Sequence, residues 1–133
     1  MIQKRRALKR RTALCKRHAN KTVLIGTPDY IAPEIINQVS ISNKSIDWWS
    51  LGVMAYELIV GTRPFCADTI EEVIENIKAY NIEWPEVGFD EGMITPNAKD
   101  LIEQLLNQDF VNRLGANGAK DVKNHPFFEG VNW

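Results

Sequence analysis

The chain lacks most of the devices that would place it outside a reducing compartment or in a membrane. It has two cysteines, Cys15 and Cys66, in unlike surroundings and with no C-x-x-C spacing, so neither a disulfide framework nor a zinc site is expected. No apolar run approaches the roughly 18 to 20 residues a membrane span requires, and the first residues lack the apolar centre of a secretory leader. The triplets beginning at Asn20 and Asn43 are therefore read as chance matches to a glycosylation signal. No stretch alternates as a strand, and none repeats. The expectation is a soluble, intracellular chain, cytoplasmic or nuclear, without a membrane partner.

Acidic residues are also missing from one end. Residues 1 to 21 hold nine of the sixteen basic residues and no acidic one, while the rest has seven basic against seventeen acidic residues, a balance of −10 behind the formal net charge of −1. The opening stretch has no aromatic residue and little apolar content, which reads as a solvated, mobile arm. Such an arm can be a linker, a nuclear-localisation signal or a nucleic-acid contact; the linker is the expected role, and nucleic acid is not the expected partner.

Residues 22 to 133 have the size of one folded domain, and the chain's 44% hydrophobic content is enough for its core. The signals in this part are helical. Pro33 can open a short helix over about 33–37. The stretch from Ser45 to Gly61 is apolar on every side and must be buried, with Ser45 as N-cap and Gly61 as stop. Asp68 and Glu71 resemble a capping box, and Ile70, Val73, Ile74 and Ile77 repeat at helical spacing. Thr95 and Pro96 start a further helix with the stripe Ala98, Leu101, Ile102, Leu105 and Leu106, and a short helix is expected over 119–124. Gly115 and Gly118 read as a turn. The predicted class is all-α.

Four blocks in order, "GTPDYIAPE" at 26, "IDWWSLGVMAYELIVGTRPF" at 46, "LLNQDFVNRLG" at 105 and "VKNHPFF" at 122, resemble the C-terminal part of a serine/threonine protein kinase domain. The pattern is most similar to the AGC group, and within it to MAST and Greatwall-type kinases. The resemblance implies the C-terminal half of the kinase large lobe, an incomplete kinase-like fold. It implies that Thr27 supports the catalytic aspartate and lysine, and that Leu24, Pro28 and Ile31 wall the pocket for the residue after the phosphoacceptor. Glu57 corresponds to a carboxylate that reads a basic substrate residue in many of these kinases. Glu34 would pair with Arg113, Asp47 would hold the catalytic-loop backbone, and Met54 and Leu58 would support an apolar spine.

The intact family uses ATP and magnesium, but the glycine-rich loop, the strand lysine, the H-R-D loop and the D-F-G aspartate are not in this sequence. No cofactor is expected on this chain, and by itself it is expected to transfer no phosphate. The leading expectation is a truncated or split kinase whose partners are a protein substrate and the upstream kinase half. Two other readings stay open: a non-catalytic docking module, and a nucleic-acid binder acting through the basic arm.

Overall fold

A proline at the right place starts each of the first two structured segments. The computed structural model describes residues 28–39 and 44–133. Pro28–Tyr30 forms a single 3₁₀ turn, and Pro33 occupies the first turn of helix α1, Pro33–Ile36, where its missing N–H costs no hydrogen bond. Leu24, Thr27, the arm at 1–21 and Cys15 lie outside the described residues.

The long helix α2, Ser45–Val60, ends at Gly61, whose φ of 83° supplies the left-handed cap. Its start differs from expectation. Ser45 is the first helical residue rather than the cap; its hydroxyl donates to the Phe110 carbonyl at 3.0 Å, a long-range tie instead of a local one. Helix α3, Ile70–Ala79, also starts one residue later than the Asp68 reading. Thr69 is the cap: its hydroxyl accepts from the Glu72 N–H at 3.2 Å, and the Glu72 carboxylate accepts from the Thr69 N–H at 3.3 Å. Glu72 also accepts from the Asp68 N–H. Helix α4, Pro96–Leu105, is capped by Thr95, and α5 covers Ala119–Lys123. A closing 3₁₀ turn, Pro126–Phe128, packs on α4. Among the described residues the extended pairing is limited to an isolated bridge between Val87 and Ile94. The fold is helical.

The core forms where α2 lies on α4. Gly52 permits the approach: a Cβ there would stand 2.8 Å from Leu106 and 3.0 Å from Leu105. Trp49, Val53, Tyr56, Phe65, Ile77, Ile102 and Leu106 are buried together, with Trp49 stacked on Phe65 at 5.5 Å. A second cluster of Leu101, Leu105 and Val122 receives Trp48, whose ring lies against Gly115 at a φ of +93° where no side chain would fit. Trp48 is thus partly covered. The large apolar α2 side chains left open are Met54 at 44%, Leu58 at 85% and Ile59 at 43% exposure. No helix among the described residues is long and apolar enough to cross a membrane. Cys66 is buried.

Candidate functional site

Two ion pairs hold the Pro28–Ile36 segment to the helices around it. The first is interior. Glu34 sits in the first turn of α1, and Arg113 reaches it from the loop after α4 with Nη1 at 2.6 Å from Oε1 and Nη2 at 2.9 Å from Oε2. Both side chains are essentially without solvent contact. A guanidinium in such a place needs every donor answered. Arg113 also donates from Nε to the Asn107 carbonyl and from Nη1 to the Ser45 carbonyl, each at 2.8 Å, and its plane lies 5.2 Å from the Trp49 ring. One residue therefore joins α1, the start of α2 and the loop after α4. The two charges are spent on one another and on backbone carbonyls.

The second pair opens toward solvent. The Pro28–Tyr30 turn packs against α2 and α3, which puts Asp29 and Tyr30 beside the last turns of α2. Arg63 donates to Asp29 Oδ2 at 2.8 Å, with the two side chains 15% and 6% exposed. Asp29 Oδ1 is buried and has no hydrogen-bond partner among the described residues. Burial pushes the Asp29 carboxyl above the ordinary aspartate value; Arg63 opposes that rise, and Glu57 adds to it. Tyr30 donates its hydroxyl to Glu57 Oε2. Burial and that hydrogen bond to a carboxylate push the Tyr30 phenol up to about 12. Glu57 is half-buried, and its Oε1 makes no hydrogen bond among the described residues. An anionic oxygen on a rigid helix, oriented by a phenol that stays protonated, is suited to take a cationic side chain.

The other singled-out residues fall into two places. Pro28 and Ile31 are half-buried and lie on the same segment as Tyr30. Asp47, Met54 and Leu58 are exposed along α2, at seven- and eleven-residue offsets that keep them on one side of the helix. Sequence reasoning reaches Glu57 but not Asp29, Tyr30 or Arg63. The signal that could find them is a lone arginine in the apolar stretch "VGTRPF", which must meet an acid or reach water.

Among the described residues no group of three or more His, Cys, Asp or Glu could hold a metal ion.

A helical unit whose Ala-Pro-Glu turn is locked by its glutamate to an arginine beyond α4 defines the class: the C-terminal helical lobe of a protein kinase domain. The chain belongs to the protein kinase domain family, whose profile matches residues 11–128. It is 47% identical over 111 residues to serine/threonine-protein kinase RIM15 of Saccharomyces cerevisiae, covering 81% of this chain and 6% of that one. To serine/threonine-protein kinase cek1 of Schizosaccharomyces pombe it is 50% identical over 113 residues, covering 82% of this chain and 8% of the relative. Similarity to cAMP-dependent protein kinase type 3 of Saccharomyces cerevisiae is 43% over 112 residues, 83% of this chain and 26% of the relative. The chain thus spans a small part of the length of the curated relatives it matches.

Proposed function

We propose that residues 22–133 are the substrate-docking part of a serine/threonine protein kinase of AGC type, with the pattern of the MAST and Greatwall-type kinases. The names of the relatives support the serine/threonine class. The observation that carries the docking role is the half-buried Glu57 carboxylate, oriented by Tyr30 near the end of α2. In this reading Glu57 accepts a basic residue of a protein substrate, while Leu24, Pro28 and Ile31 receive the residue after the phosphoacceptor and Thr27 supports the catalytic groups. ATP and magnesium act on the upstream kinase half. Asp47, Met54 and Leu58 are the face on which that half packs, Asp47 accepting from catalytic-loop N–H groups and the other two continuing an apolar spine. The working compartment is intracellular.

Calorimetry of the 133-residue chain with a serine peptide carrying upstream arginines tests the docking role. Glu57→Gln should weaken binding about tenfold, the loss of one charge-assisted contact. Equal affinity of the variant and the parent would remove Glu57 from the peptide site.

A further inference from the structure

Asp29, Tyr30, Glu57 and Arg63 are one electrostatic unit. Asp29 responds to both Arg63 and Glu57, and Tyr30 responds to Glu57, Arg63 and Asp29. The unit has two carboxylates and one guanidinium, hence a net charge of −1 when both acids are ionised. Arg63 gives one contact to Asp29 Oδ2, and among the described residues nothing answers the buried Oδ1, so the arginine covers the acid without fully satisfying it. A carboxylate in that condition keeps a strong field in the neighbouring space, because little solvent screens it. Glu57, bonded to the neighbouring Tyr30, lies within reach of that field.

We propose that Arg63 is a specificity-determining residue: by neutralising Asp29 from within the fold it sets how strongly the Glu57 site prefers a cationic peptide side chain. The inference rests on the docking role of Glu57. Arg63 does not touch the peptide; it fixes the net charge that the peptide's guanidinium meets. A chain with this internal cation discriminates moderately between basic and neutral substrates, and a chain without it discriminates sharply. The partner class is a peptide with an arginine or lysine at the position that reaches Glu57.

The test is a charge series measured on the full 133-residue chain near neutral pH, with two synthetic peptides that differ only by Arg or norleucine at the docking position. The readout is the ratio of their affinities by calorimetry. Arg63→Met, leaving two carboxylates uncompensated, should raise the ratio about fivefold. Asp29→Asn, leaving Arg63 facing Glu57 alone, should lower it by a similar factor, about fivefold. The double variant Asp29→Asn with Arg63→Met restores the net charge of −1 and should return the ratio to the parent value. Opposite shifts with recovery in the double variant cannot come from loosened packing, which would move both single variants the same way. If Arg63→Met fails to fold, the Asp29→Asn and double variants still decide the matter. A preference that disappears in Glu57→Gln but stays constant across the series overturns the role of Arg63 and leaves the docking role intact. Absence of any peptide binding, or a preference indifferent to Glu57, overturns both.

Discussion

Arg113 brings three separate parts of the sequence to one point through its contacts to Glu34, Ser45 and Asn107. With both charges out of solvent, removing either leaves the other buried and unpaired. Glu34→Ala and Arg113→Ala should each destabilise by about 3 to 5 kcal/mol. The double replacement should cost clearly less than the sum of the two, since it leaves no orphan charge. Chemical denaturation of the four proteins measures this, and small additive losses would show that the pair is not coupled. The pairing is open to sequence reasoning through the resemblance, since an acid in "APE" and a base in "NRLG" each stand among apolar residues. The Asp29–Arg63 pair is not, because its partners belong to a turn and a loop whose approach depends on how the turn seats against α2 and α3.

Helices are legible as far as their apolar periodicity reaches, and less so at their ends. The α4 stripe and the Gly61 stop come directly from spacing and from glycine's access to positive φ. The α3 cap is ambiguous by one residue because Asp68 and Thr69 are both good caps, each with a glutamate three residues on. Thr69 takes the role with an extended backbone, φ −122° and ψ 157°, which aims its hydroxyl at the Glu72 N–H. Ser45 departs from its expected capping role for a different reason: its hydroxyl is claimed by Phe110, 65 positions away, which no local rule can foresee. The contact between α2 and α4 is equally invisible in the sequence, and Gly52 is its only local sign. Gly52→Ala should destabilise by about 1 to 3 kcal/mol, because the methyl meets Leu105 and Leu106 in a packed interface. Thermal unfolding checks this, and an unchanged midpoint would mean that the two helices can separate at little cost.

At the scale of the whole molecule, α2 is apolar all round, yet this chain covers only part of it. Trp49, Val53 and Tyr56 are fully enclosed, while Met54, Leu58 and Ile59 remain open beside the exposed Asp47. The sequence announces that such a helix needs cover on every side, but not which side lacks it. Because these side chains already face solvent, Met54→Glu and Leu58→Glu should change stability by less than about 0.5 kcal/mol each. The same two replacements should reduce binding of a hydrophobic dye and self-association of the chain, seen by fluorescence and light scattering; unchanged dye binding would place the adhesive surface elsewhere. In the function proposed above, this segment serves as the docking half of a serine/threonine kinase. The most direct measurement of that role is phosphoryl transfer by a chimaera in which the 113-residue matched segment of the Schizosaccharomyces pombe relative is replaced by the matching part of this chain. The account predicts a chimaera that phosphorylates a basic serine peptide and loses that activity toward the norleucine peptide or on Glu57→Gln. A folded, nucleotide-binding chimaera that transfers no phosphate to serine or threonine would contradict it.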